Sequence, residues 1–435
     1  MPAPPKFCIR THRPNGTVVV VQLRYNFRVY PEPGQRAALA RAFGCARVVF
    51  NDGLRARQEA HAAGLPYLKD TDLQKQVVTA AKQTEGRAWL GEVSSVVLVQ
   101  SLRDLHAAYR NFFASLTGKR KGPRVAPPRF KSRKDRRQSI RLTANGFSIR
   151  PSGRLYVAKV GDLRVKWSRT LPSTPTSVTL TMDAAGRYWA SFVVDTTPQI
   201  LPAAGTDTGI DLGLHHFAVL ADGRKLDSPK FLRRAEKKLK RMQKELSRKA
   251  KGSNNRDKAR RKVARQHARV ADRRRDWQHQ LSTRIIRDNQ AVYVETLSAK
   301  GLGRTRLAKS VHDAGWAQFV GMLEYKAVKH GRTFARVDRS FPSSQTCSAC
   351  GFRDGPKPLH VRAWTCRSCG TAHDRDHNAA KNVLYEGRRI VAAGRAETPN
   401  ASPSAGKTRT LVPAQRVEAG THPDGQPTVA GIPVP

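Results

Sequence analysis

The stretch TGIDLGLHHFAVLADGRKLDS (residues 208–228) reads as a strand, a turn, a second strand, an Asp-Gly hairpin and a third strand, an antiparallel meander. Asp211 interrupts the apolar run GIDLGL, at the end of the first strand and just before the turn. Further along, AVYVETL (291–297) is another strand, closed by Glu295, which shares a face with Tyr293 at the strand period of two. WQHQLSTRIIRDN before it and DAGWAQFVGMLEYKAVKHG after it read as helices, and RTFARVD as one more strand. A last helix, DRDHNAAKNVLYEGRRIVAAG (374–394), carries Asp376 at its start.

A strand meander bearing Asp, a later strand bearing Glu and a following helix bearing Asp is the order of elements in an RNase H-like sheet. In such a sheet three carboxylates converge on two divalent cations that activate water and stabilise the leaving oxygen of a phosphodiester. Hard oxygen ligands suit Mg2+ or Mn2+. Any one of these carboxylates alone could equally cap a turn or pair with an arginine. The ordered set gains weight from its setting: 80 Lys+Arg against 33 Asp+Glu in 435 residues, a formal net charge of +47, leave few acids to spare.

That surplus seeks polyanions, since without them it would repel itself. The length suggests two or three domains, and 39% hydrophobic residues can supply a core for each. Nucleic acid is the first expectation and an anionic membrane surface the second. Against the membrane, no run of about eighteen apolar residues occurs, and the opening MPAPPKFCIRTHRPNG lacks the apolar core of a secretory signal. A cytosolic, nucleoid-associated bacterial protein is therefore expected. There is no GxxxxGK[ST] loop, no HExxH and no GxSxG, which removes the usual nucleotide-hydrolysing, zinc-protease and serine-hydrolase chemistries.

Cys8 and Cys45 stand alone, but Cys347-x2-Cys350-x15-Cys366-x2-Cys369 is a matched pair of CxxCG arms. Four thiolates at this spacing make a tetrahedral zinc site, and Gly351 and Gly370 can take the tight turn around the sulfurs. Redox motifs or disulfides are the competing readings, and neither explains two matched arms. A four-sulfur site leaves no open position, so one structural Zn2+ is expected. Trp364 between the arms reads as a packing residue.

Before residue 200 the chain is of another kind. TVVVVQLRYNFRVY (17–30) is a strand, and helical periodicity follows in residues 34–57 and again from Leu98 to Leu116, where Phe112 and Phe113 read as core beside Leu105 and Tyr109. GKRKGPRVAPPRFKSRKDRRQSIRL (118–142) has prolines that exclude a long helix and cations suited to phosphate. Short strands then run from Gln138 to Asp195 and imply a small barrel, which the early strand completes. After a linker at residues 202–205 and the meander, residues 230–275 carry 21 Lys/Arg against 4 Asp/Glu on two amphipathic helices around GSNN. Charge this one-sided points to a nucleic-acid contact. From Arg395 the tail is rich in Pro, Gly, Ser, Thr and Ala and is expected to be disordered.

With RAFGCARVVFN (41–51), PPRFKSRK (127–134), GIDLG (209–213), VYVETL (292–297), FPSSQTCSACG (341–351) and WTCRSCGTAHDRDHNAAKNV (364–383), the chain resembles the TnpB family. These are the OrfB-type proteins of bacterial insertion sequences, related to type V CRISPR effector nucleases. The resemblance covers about residues 20–390 and is most specific in the C-terminal half. It implies an α/β multidomain protein: a β-barrel wedge domain (1–31 and 119–200) interrupted by a helical recognition lobe (32–118), then a RuvC-like nuclease domain (205–340 and 373–392) holding a zinc-ribbon insert (341–372), and a tail (393–435). It implies an RNA-guided DNA endonuclease that binds a guide RNA from the transposon end and cuts double-stranded target DNA beside a short adjacent motif; the oligomeric state stays open, a monomer being favoured. Asp211, Glu295 and Asp376 take the place of the family's metal-binding acids, with Asp374 the competing choice for the third. Base pairing would read the sequence, leaving the protein to hold the heteroduplex by its backbone. Two other functions stay open: a nuclease-inactive nucleic-acid-binding repressor, or a transposase acting on the element's own ends. No tyrosine with a paired HxH is present to suggest the tyrosine-type transposases.

Overall fold

The computed structural model describes residues 21–394 other than 121, 136 and 359, so Cys8, the first residues of the early strand and the tail lie outside the described residues. Strand β1 (Val21–Tyr30) alternates inward Leu23, Phe27 and Val29 with outward polar residues. Helix α1 (Pro33–Ala62) follows at once, because Pro33 fixes its first turn and Glu32 and Gln35 form a reciprocal capping box, the Glu32 amide donating to Gln35 Oε1 at 3.0 Å. A short α2 (Asp70–Gln74) leads into one π turn and two 3-10 turns (residues 75–92), and α3 (Ser95–Leu116) completes the helical part.

The strands expected between Gln138 and Asp195 form as β2 (Gln138–Thr143), β3 (Phe147–Ile149), β4 (Leu155–Val157), β5 (Gly161–Lys166), β6 (Ser177–Met182) and β7 (Tyr188–Thr196). With β1 they make a seven-stranded antiparallel sheet in the order β2-β6-β7-β1-β5-β4-β3. The sheet is nearly closed: its edge strands β2 and β3 are neighbours in sequence, joined by the turn Ala144–Gly146. Helices and sheet do not have separate cores. Phe27, Leu142, Leu163 and Phe192 from the strands form one apolar cluster with Leu39, Leu54, Leu98 and Leu105 from the helices. The described residues of the basic loop 118–137 form no helix or strand, and the loop is tied to α1 by Asn51, whose side chain both donates to and accepts from the Lys131 backbone at 3.0 and 2.8 Å.

One expectation fails here. Phe113 is 43% exposed and Phe112 only half-buried. The buried stripe of α3 runs through Val97, Leu98, Leu102 and Leu105 and gives out by His106. Beyond that point Phe113 stacks on Tyr109 with ring centroids 5.8 Å apart, and Tyr67, itself 52% exposed, packs edge-on to both.

The second half is built on a five-stranded sheet, order β10-β9-β8-β11-β12, from β8 (Asp207–Asp211), β9 (Ala218–Leu220), β10 (Lys225–Leu226), β11 (Ala291–Glu295) and β12 (Thr333–Val337). The meander β8-β9-β10 is antiparallel as read, whereas β8, β11 and β12 run parallel. Between β10 and β11 lie the basic pair α4 (Phe231–Ser247) and α5 (Asn254–Asp288), the latter capped by Ser253 Oγ accepting from the Arg256 amide at 3.1 Å. Leu239, Val263 and Val270 are buried on these helices, and most of their cations face out. Short α6 (Ala299–Leu302) and α7 (Ala308–Ala314) precede α8 (Trp316–His330). After β12 the cysteine segment folds around a two-stranded ribbon, β13 (Ala363–Thr365) and β14 (Ala372–Asp374), and α9 (Arg375–Ala392) closes the unit.

Strand parity decides what each face of this sheet does. Ile210, Val292 and Val294 point into a core with α5 and α8. Gly209, Asp211, Tyr293 and Glu295, one residue out of step, belong to the opposite face, where α9 lies.

Candidate metal centres

The helix α9 reaches its sheet through two glycines. A Cβ on Gly209 would stand 2.2 Å from the Ala380 carbonyl and 2.4 Å from the Leu384 amide, and one on Gly387 would stand 2.2 Å from the Tyr293 ring. With hydrogen in both places, the helix backbone rests on β8 and the ring on the helix, and the start of α9 arrives at the ends of β8 and β11. Tyr293 is in register with Gly209, so the next alternate residues on that face, Glu295 and Asp211, lie side by side.

The Asp211 and Glu295 carboxylates are neighbours whose charges act on each other, and Glu295 Oε1 accepts from the Leu212 amide at 3.0 Å. Burial, the Glu295 charge and the Asp376 charge together push the Asp211 carboxyl well above its ordinary range. Glu295 is raised too, chiefly by burial, with the Leu212 amide hydrogen bond and the neighbouring Asp211 working against it and the Asp376 charge adding to it. Like charges crowded at a poorly hydrated strand end gain from a shared proton or a cation. An all-oxygen donor set of this kind fits Mg2+ or Mn2+.

Asp376 and Asp374 are now distinguishable. Asp374 is the N-cap of α9, accepting from the His377 amide at 2.9 Å, and pairs with Lys225 at 2.7 Å. Asp376 is the one whose charge acts on both Asp211 and Glu295. It is engaged by Arg362, whose Nη1 lies 3.1 and 3.3 Å from its two oxygens. Arg362 went unread in the sequence because one arginine among so many carries no signal. The N-cap role of Asp374 could have been read, since an aspartate directly before a helical run is a standard start signal.

Cys347, Cys350, Cys366 and Cys369 bring their sulfurs within 4.8 Å of one another, the tightest gathering of metal-type ligands among the described residues. The three acids do not close to that spacing. Both arms fold alike: the Gly351 amide donates to the Cys347 carbonyl at 2.9 Å and the Gly370 amide to the Cys366 carbonyl at 3.0 Å, each glycine left-handed at φ +78° and +68°. Facing knuckles of four sulfurs fit one tetrahedral Zn2+. Trp364 is buried beside them, as expected, with Lys357 Nζ 3.6 Å from its ring centre.

A family model for OrfB of the IS605 type, described as a probable transposase, matches residues 191–306, and a Cas12f1-like TNB domain model matches residues 316–383. A third, described as a helix-turn-helix domain, matches residues 21–65. Here those residues are the strand β1 and a helix α1 that runs without a break from Pro33 to Ala62. A Streptomyces pristinaespiralis protein named "Putative RNA-guided DNA endonuclease" is 42% identical over 408 residues, 92% of this chain and 98% of that protein. An Escherichia coli K12 protein of the same description, InsQ, is 30% identical over 85% of this chain and 93% of its own length. Among solved structures, a Cas12f1–sgRNA–target DNA complex aligns with 84% of this chain and 99% of its own at 12% identity and a TM-score of 0.45.

Proposed function

This chain belongs to the OrfB family of insertion-sequence proteins, the TnpB family, and we propose that it is an RNA-guided DNA endonuclease that cuts at the Asp211, Glu295 and Asp376 site. The observation that supports the reading is that Asp211 and Glu295 lie side by side on the sheet face that α9 covers, with Asp376 at the start of α9 near enough for its charge to act on both. Two divalent cations held there would activate the attacking water and steady the leaving oxygen of the phosphodiester. The chain's own part is to hold three carboxylates in a partly buried corner. The Leu212 amide fixes Glu295, and Arg362 holds Asp376.

On this reading the nearly closed sheet (1–31 and 119–200) is a wedge domain and the helical part (32–118) a recognition lobe. The RuvC-like nuclease domain spans 205–340 and 373–392 around a zinc insert at 341–372. The partners are a guide RNA from the transposon end and a double-stranded DNA target beside a short adjacent motif. The loop at 118–141 and the helices α4 and α5 supply backbone contacts to the duplex. No helix among the described residues is long and apolar enough to cross a membrane.

The test is to purify the chain with co-expressed flanking RNA and incubate it with matched target DNA and Mg2+. Guided cleavage that is lost in Asp211→Ala, with RNA retained, is the expected result. Cleavage unchanged in that variant would sink the site, and tight target binding without nicking under any divalent ion would favour the repressor.

A further inference from the structure

The third acid stands on a helix that is held by the zinc insert. Asn378 and Asn382, one turn apart on α9, are only 2% and 6% exposed. Asn378 Oδ1 accepts from the Ser348 amide at 2.8 Å while its Nδ2 donates to the Thr346 carbonyl at 2.8 Å. Asn382 Nδ2 donates to the Ser343 carbonyl at 2.8 Å and again to Thr346 at 2.6 Å. All four bonds go to the backbone flanking Cys347, the stretch that enters the first knuckle. Arg375, beside Asp376, donates to the Pro358 carbonyl at 2.7 Å, and its amide donates to the Arg362 carbonyl at 2.8 Å.

Resting on the proposed acid site, we propose that Asn378 and Asn382 are positioning residues that make the placement of Asp376 depend on the sulfur knuckle. Asn378 is two residues from Asp376 on the same rigid turn, and both asparagine side chains spend their amides on insert backbone rather than on the sheet. Apolar packing cannot do this work, because on this side α9 meets the insert through carbonyls and amides that would be left unpaired without side-chain partners. When the four sulfurs hold Zn2+, residues 343–348 have one conformation, and the asparagines pass it to the first turns of α9. Without it, the same bonds follow a loose loop, and Asp376 loses its fixed distance to Asp211 and Glu295. Outer partners of metal ligands typically change metal affinity by about 10- to 100-fold.

The experiment reads ion binding rather than cleavage. Mn2+ binding to the full chain with its guide RNA is measured by electron paramagnetic resonance, and subtracting the Asp211→Asn counterpart isolates the acid site. In Asn378→Ala/Asn382→Ala the Asp211-dependent dissociation constant should rise about tenfold or more, with zinc still at one per chain. Lys381→Ala, an exposed change between them on the same helix, should leave it where it was. Stripping zinc from the wild type should raise it comparably, and stripping zinc from the double variant should add little. Asn382→Gln keeps an amide donor and should fall closer to the wild type than Asn382→Ala. Unchanged Mn2+ affinity in both the double variant and the zinc-stripped wild type overturns the inference. If the double variant does not fold, the zinc-stripped wild type and Asn382→Gln decide it by the same reading. A wild type with no Asp211-dependent Mn2+ binding would sink the acid site itself, and this inference with it.

Discussion

The two halves of the molecule solve packing in opposite ways. Before residue 200, helices and strands sink large apolar side chains into one continuous core, with Phe27, Leu54, Leu98 and Phe192 among its fully buried members. After residue 205 the sheet splits its burial between two faces. The α5 and α8 face is apolar in the ordinary way, but on the α9 face the apolar cluster is small, glycines let the helix down onto the sheet, and buried asparagines bond the helix to the cysteine segment. The difference teaches where chemistry can sit. Side-chain packing tolerates small adjustments, whereas backbone laid on backbone and amide bonded to carbonyl fix positions closely, and fixed positions are what converging carboxylates need.

That contrast can be broken in order of force. The largest effect is expected from Cys347→Ser with Cys366→Ser. Structural zinc contributes on the order of 10 kcal/mol to small domains, so the insert should unfold and zinc content and soluble yield should fall together, while the apolar core of the first half survives in limited proteolysis. Wild-type protein containing no zinc would contradict the module. Next, Leu98→Ala, in the first core, should lower unfolding free energy by about 2–5 kcal/mol. Protein that remains folded should keep its Asp211-dependent Mn2+ affinity, as calorimetry can check.

Gly209→Ala should cost about 3 kcal/mol or less globally yet harm the acid site far more than Leu98→Ala does, because the helix must lift from β8. Guided cleavage lost with a fall in melting temperature no larger than that of Leu98→Ala is the expected pattern; unimpaired cleavage would argue against close backbone contact there. The smallest effect is one of pH. Asp211 is raised in the folded state by burial and by its acidic neighbours, so without added divalent ions its contribution to stability is full below the ordinary carboxyl range. It is lost as pH rises through the elevated folded value. Denaturant titrations across pH should show this decline in the wild type and a flatter course in Asp211→Asn. Mn2+ affinity at the site should rise with pH, since the ion displaces a shared proton.

Much of this was legible beforehand, and for identifiable reasons. The run of short strands opens at Gln138 as read, the Asp-Gly pair gave the β9–β10 hairpin, and cysteine spacing gave both glycine turns. Phe113 was misread because α3 is periodic along its whole length, and periodicity does not say where the neighbouring elements stop. Arg362, Asn378 and Asn382 were missed because their partners lie 14 to 39 residues away, on a module whose path no local pattern describes.

The sequence by itself determined the elements, the matched cysteine arms and the candidate acids, since propensity, turn residues and spacing act over a few residues at a time. Only the tertiary structure decided that the Asp376 charge reaches Asp211 and Glu295 while Asp374 caps the helix. That arrangement depends on which way the first turn of α9 faces when Gly209 and Gly387 let it down onto the sheet and the cysteine segment grips its asparagines. Contacts between distant backbones are set by packing geometry, and no stretch of neighbouring residues contains it.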